Sequence, residues 1–210
     1  MTNRPELRGR PAKREAIVAA AREVFLREGY ARTSMDAISE AASVSKRTVY
    51  NHFPDKRALF IAVIEDTVAP VLDEFVAMLD RHLPAGRETE LREALIGFCR
   101  DWVQTSVLFP DHAALLRLVI AEASHLPEVI DVWRAAGAAP SQHALVKRLE
   151  DLAGQEELAI ADAPAAARRL TALVCSPAQS RSFFGLLDID DAEVDALVTD
   201  GVDAFLALYR

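Results

Sequence analysis

The chain has 210 residues, 51% of them hydrophobic, and a net charge of −8, which excludes a disordered polypeptide and allows one sizeable domain or two small ones. No apolar run approaches the roughly 18 residues of a membrane helix, and residues 1–14 lack the apolar stretch of a secretory signal, so a cytoplasmic location is expected. Cys99 and Cys175 lie far apart with no further ligand at metal spacing, and are expected to be reduced core residues.

The charge is unevenly spread. Residues 1–57 carry 12 Lys and Arg against 7 Asp and Glu, a net of +5, whereas residues 58–210 carry 12 against 25, a net of −13. A basic head can neutralise phosphates, and an acidic body opposes non-specific spreading over nucleic acid.

Apolar residues recur at helical spacing along the whole chain, with no alternating strand pattern, so the fold expected is all-α with about nine helices. The first runs from about 12 to 28, with Ile17, Ala20, Ala21, Val24 and Phe25 as its stripe and Gly29 as its stop. The second opens at Thr33, whose hydroxyl can cap while Asp36 reaches back, and turns Met35, Ile38 and Ala41 inward. After a Ser43-Val44-Ser45 turn the third starts on Ser45, buries Val49 and Phe53 and ends at Pro54. The fourth begins at Asp55 and continues to about residue 82, with Pro70 expected to kink it. Five more are expected at about 88–108, 111–124, 127–152, 163–185 and 191–209, with Pro140 and Pro177 as possible breaks.

Two short helices around a tight turn, the second presenting Lys46, Arg47, Thr48, Tyr50, Asn51 and His52, form a helix-turn-helix pattern. Those side chains hydrogen-bond base edges and phosphates. The segment resembles the TetR family of bacterial transcriptional repressors. The resemblance rests on I-V-A-A-A-R-E-V-F-L-R-E-G-Y (17–30), T-S-M-D-A-I (33–38) and V-S-K-R-T-V-Y-N-H-F-P-D-K-R-A-L-F (44–60), whose most specific part is Tyr50, His52, Phe53 and Lys56 followed by Leu59. Arg117 through Ala139 resembles the C-terminal domain of the AefR-like branch. One departure is Ser43, where the family usually has glycine between the two helices.

The resemblance implies three regions: a flexible basic arm (1–11), a DNA-binding domain (12–72) and an effector-binding and dimerisation domain (73–210). Thr33, Tyr50, His52 and Lys56 are expected to bind phosphates, with Ser45 and Asn51 on the same face. Lys46, Arg47 and Thr48 are the candidates for base readout, and Arg47 is best suited to a bidentate guanine contact. Arg8-Gly9-Arg10-Pro11 matches the core of an AT-hook. An extended arm of that kind lays Arg8 and Arg10 in a narrow minor groove.

For the body, the resemblance implies a small-molecule pocket, for which Phe75, Phe98, Trp102, Phe109, Leu116, Trp133 and His143 are candidates. It also implies a homodimer through the last two helices, whose Leu170, Leu173, Val174, Phe183, Phe184, Val194, Leu197, Val198 and Phe205 supply apolar surface. A dimer requires a pseudo-palindromic double-stranded operator. No cofactor, metal or membrane partner is expected. An enzyme is disfavoured because G-x-S-x-G, P-loop and Cys-x-x-Cys patterns are missing, and Glu122-x-x-His125 is only half of a di-metal motif. A helical protein-interaction module with a basic head accounts for the charge split, but not for Tyr50, His52, Phe53 and Lys56 at their spacing.

Overall fold

The computed structural model describes residues 6–155 and 157–210, with side chains from Pro11 onward. Among the described residues ten α-helices follow one another: α1 (Glu6–Glu28), α2 (Met35–Ala41), α3 (Lys46–His52), α4 (Lys56–His82), α5 (Leu91–Trp102), α6 (Pro110–Glu122), α7 (Glu128–Trp133), α8 (Ala139–Gly154), α9 (Ala163–Arg181) and α10 (Asp191–Tyr209). The described residues contain no strand. Two π-helical turns, Val103–Val107 and Arg134–Ala138, extend α5 and join α7 to α8 without a break. The helical run expected at 127–152 is therefore unbroken from Glu128, and Pro140 falls directly after the Arg134–Ala138 π-turn, at the second residue of α8.

The chain divides into two compact units. One is the chain up to Thr67 with Leu118–Trp133, the other Val68–Arg117 with Arg134–Arg210. The first thus takes in a mid-chain segment that a single boundary near residue 72 leaves out.

In the first unit, α1 buries Ile17, Val18, Ala21, Val24 and Phe25, which recur at the 3.6-residue period. Gly29, at φ +82°, ends the helix in a left-handed residue, with its N–H donating to Phe25 O at 2.8 Å. The helix begins at Glu6, well before residue 12, so the backbone of Arg8 to Pro11 is helical rather than an extended arm. The side chains of Arg8 and Arg10 lie outside the described residues. Met35 and Ile38 face inward from α2, Val49 from α3 and Leu59, Phe60, Val63 and Ile64 from α4, whereas Ala41 is exposed. Arg57 and Glu128 form an ion pair that ties α4 to α7.

In the second unit, α10 packs on α9 and α5, and α8 packs on α9. One apolar core joins Phe75, Leu79, Leu95, Phe98, Leu145, Leu149, Leu170, Val174, Val198 and Phe205. Gly201 lets α10 approach α9 closely: a Cβ there would lie 2.6 Å from Leu173 O. Arg92–Asp203 and Arg100–Asp195 bridge α5 to α10 on the surface. Both thiols are buried and free, and burial pushes Cys175 up to about 12 and Cys99 well above its ordinary value. Helix α4 continues through Pro70, which is exposed, and α9 continues through Pro177 to end at Arg181. The last helix before α10 is therefore shorter than the expected 163–185. Phe183, Phe184 and Gly185 follow at φ +49°, +58° and +77°, left-handed values that no right-handed helix can continue.

Candidate nucleic-acid interface

The two short helices are fixed by their caps. Ser34, not Thr33, caps α2, its hydroxyl accepting from Ala37 N at 3.1 Å. Ser45 caps α3 by accepting from Thr48 N at 3.1 Å, and its hydroxyl also meets Thr48 Oγ1 at 2.8 Å. Between them, Ser43 adopts φ +52°. Ser43 N donates to Glu40 O and Val44 N to Ser39 O, both at 3.0 Å, the bond pair that closes a Schellman motif. The backbone thus demands the left-handed residue for which glycine is the usual choice, and serine accepts the strain.

Helix α3 is anchored by Val49, wholly buried, and by Phe53 just beyond its end. Its remaining side chains divide by exposure. Lys46, Arg47 and Asn51 are exposed, Tyr50 is 45% exposed, and Thr48 and His52 are half-buried. Lys46 is engaged by Asp36 of α2, which raises its pKa by hydrogen bonding and charge. This one helix therefore carries the base-reading candidates together with Tyr50, Asn51 and His52.

The remaining two phosphate candidates lie elsewhere. Thr33 is only 3% exposed, and its hydroxyl donates to Gly29 O at 2.8 Å. Lys56 Nζ donates to Tyr30 O at 2.8 Å and Thr33 O at 2.9 Å, with Ala31 O at 3.4 Å. The ammonium also lies 4.4 Å from the Tyr30 ring centroid, a cation–π distance. Tyr30 is stacked against Phe25 and tilted on Phe60, and burial, then the Asp55 carboxylate, raise its phenol above the ordinary value. The sequence motif contains Lys56, but nothing in residue order shows where backbone carbonyls converge.

Of the seven pocket candidates, the fold brings together Phe75, Phe98 and Trp102. Their ring centroids are 5.1–5.6 Å apart in a buried cluster, so they are packed core. Phe109 and His143 are exposed, Leu116 is half-buried, and Trp133 belongs to the first unit. A cleft of about 690 Å³ in the second unit, between Asp80, Leu83, Arg148 and Leu152, includes none of the seven. No group of three or more His, Cys, Asp and Glu among the described residues is placed to hold a metal ion.

Only part of the apolar set assigned to a dimer face is exposed. Leu170, Val174, Val194, Val198 and Phe205 are buried within their own chain, because the stripes of α9 and α10 face each other and α5. Leu173 and Leu197 are half-buried. Across α9, α10 and the segment between them, the large apolar side chains left exposed are Phe183, Phe184, Leu186, Leu187 and Leu208, at 40–62%.

Comparison with known proteins gives a consistent result. A model of bacterial regulatory proteins of the tetR family matches residues 17–63, and a model of the AefR-like transcriptional repressor C-terminal domain matches residues 93–210. The regulator RutR of Escherichia coli K12 is 34% identical over 98 residues, 47% of this chain and 46% of RutR. TcmR of Streptomyces glaucescens is 34% identical over 126 residues, 56% and 53% of the two chains. The chain spans about half the length of the curated relatives it matches. Among solved structures, a TetR-family regulator from Mesorhizobium loti MAFF303099 superposes with a TM-score of 0.87 at 27% identity, covering 95% of this chain and 98% of that one. The flavonoid-responsive regulator FrrA superposes at 0.72 and 28% identity, with the same coverage. No helix among the described residues is long and apolar enough to cross a membrane.

Proposed function

The chain belongs to the tetR family of transcriptional regulators, DNA-binding proteins rather than enzymes, and from that premise we propose that it is a homodimeric repressor released from a pseudo-palindromic operator by a small-molecule effector. The observation that carries the DNA-reading part is α3: buried Val49 and Phe53 hold it from behind, while Lys46, Arg47, Tyr50 and Asn51 stand exposed. Arg47 is the residue for a bidentate guanine contact, with Lys46 and Thr48 beside it. Tyr50, Asn51 and His52 set register on the phosphates.

Repression is supported by the match to the AefR-like repressor C-terminal domain. The effector class is supported by FrrA, a flavonoid-responsive regulator of similar fold, so the first ligands to try are planar aromatic compounds. Release requires the effector to prefer one of two arrangements of the body, since equal affinity for both would shift nothing. Helix α4 runs from Lys56 to Phe75 and beyond, and is the element proposed to carry that bias to the reading helices.

The dimer face is proposed on the exposed apolar side chains of Phe183, Phe184, Leu186 and Leu187, which follow α9, and of Leu208 at the end of α10. The function is tested by selecting bound duplexes from a random-sequence library with the full chain. The expected product is an inverted repeat, and Arg47→Ala relaxes preference at a symmetric pair of guanines. Selection of no sequence, with affinity set by salt alone, would refute the reading.

A further inference from the structure

The core-facing stripe of α1 does not stop where the core stops. Ile17, Val18, Ala21, Val24 and Phe25 are buried, whereas every residue from Pro11 to Ala16 is exposed, so the helix runs out past the apolar centre of its unit. Arg14 stands three residues before Ile17 and four before Val18, the spacing that keeps it on the same face. Arg10 takes that face again one turn further out. A stripe that is apolar over the core thus turns basic beyond it.

What Arg14 meets there is the end of the reading helix. Its Cζ lies 5.4 Å from the ring centroid of Phe53, within cation–π range. Phe53 caps the C-terminus of α3, donates its N–H to Val49 O at 2.9 Å and is only 4% exposed, so its ring is a fixed platform. His52, one of the residues proposed to set register on phosphates, directly precedes it, with the two ring centroids 6.4 Å apart. A guanidinium seated over a ring engages through its face, and its N–H donors, which lie in its plane, stay available to a further acceptor. Lys46 differs in this respect, because the Asp36 carboxylate already takes its ammonium.

We propose that Arg14 is a further DNA-contact residue: Phe53 aims its guanidinium at a backbone phosphate beside the C-terminal end of α3. The contact is to phosphate and not to a base, so it adds affinity and holds the register of α3 without choosing sequence.

The inference rests on the DNA-reading function proposed above, and the test separates the two. Full-length protein and variants are titrated against a labelled duplex selected by the wild type, and against an unrelated duplex, across a salt series. Arg14→Gln is expected to weaken binding to both on the order of tenfold and to lower the slope of log K against log salt by about 0.9. Arg14→Lys, which keeps the charge, should retain the wild-type slope. An Arg14 that only pins α1 to α3 would instead lower the melting temperature of Arg14→Gln and leave the slope unchanged, which overturns the proposal; so does a loss confined to the selected duplex, the mark of a base contact. If Arg14→Gln does not fold, the wild type decides: duplex should protect Arg14 from an arginine-specific dicarbonyl reagent, read by peptide mass spectrometry, and equal modification with and without duplex overturns the proposal. A wild type that selects no duplex overturns the DNA-reading function and this inference with it.

Discussion

Lys46 Nζ lies 2.7 Å from Asp36 Oδ1 and 3.0 Å from Oδ2, so the first exposed cation of α3 is already paired with a carboxylate of α2. The pair is exposed and screened by water, so its effect on folding is small. Its effect on DNA binding is not, because the carboxylate must share Lys46 with the duplex or release it.

Asp36→Ala is therefore expected to raise affinity for non-specific duplex several-fold while leaving the melting temperature nearly unchanged. Anisotropy titrations at two salt concentrations check this. Unaltered affinity would place Lys46 away from the DNA.

Ser43 occupies a left-handed backbone at φ +52°. A non-glycine residue there carries about 1 kcal/mol of strain, partly offset by glycine's greater freedom in the unfolded chain. Ser43→Gly should stabilise the protein by up to about 1 kcal/mol in denaturant melts. The Schellman bonds of Ser43 and Val44 involve only backbone atoms, so the turn itself is retained.

Gly201 is a contact point between helices. A methyl group there meets Leu173 O at 2.6 Å and Leu173 C at 3.0 Å, backbone atoms that move only if α9 moves. Gly201→Ala is expected to cost about 1–3 kcal/mol, read as a lower denaturant midpoint. An unchanged midpoint would mean that α9 and α10 separate freely.

Leu186 and Leu187 are 59% and 60% exposed, next to Phe183 and Phe184. The segment is held in shape by Gly185 N donating to Ser182 Oγ at 3.0 Å and by Arg117 donating to Phe184 O at 2.6 Å. Leu186→Glu with Leu187→Glu should convert a dimer to a monomer in sedimentation velocity and leave the circular dichroism spectrum intact. A dimer that survives both changes places the interface elsewhere.

Burial lowers the pKa of His112 below 6.5, and a hydrogen bond to the Ser106 backbone only partly opposes this. The folded state therefore resists protonation more than the unfolded chain does. Stability contributed by the neutral ring is complete above the unfolded value, near 6.5, and is lost as the pH falls below it. Melts from pH 8 to 5 should show a fall that is shallower in His112→Gln, and parallel curves would refute the assignment.

How much of this was legible in the chain differs from element to element. Ile17, Val24 and Phe25, or Val49 and Phe53, could be assigned to a core because helical periodicity fixes which side chains share a face. The exposed set on α3 follows from the same geometry. The motif assigns Thr33 and Lys56 to phosphates, whereas in the fold both donate to backbone carbonyls, because a hydroxyl or an ammonium on the right motif can serve solvent, phosphate or backbone equally well.

The sequence by itself determined the all-α class, the helix-turn-helix and its outward donors, since these depend on local spacing and capping. Only the tertiary structure decided who covers each apolar stripe and where each polar head ends. Periodicity shows that Leu170, Val174, Val198 and Phe205 lie on apolar faces, but not that their own chain buries them. Likewise the convergence of Tyr30 O, Ala31 O and Thr33 O on Lys56 joins residues 23–26 positions apart. Long-range contacts of this kind are set by the closure of the chain, which no local pattern encodes.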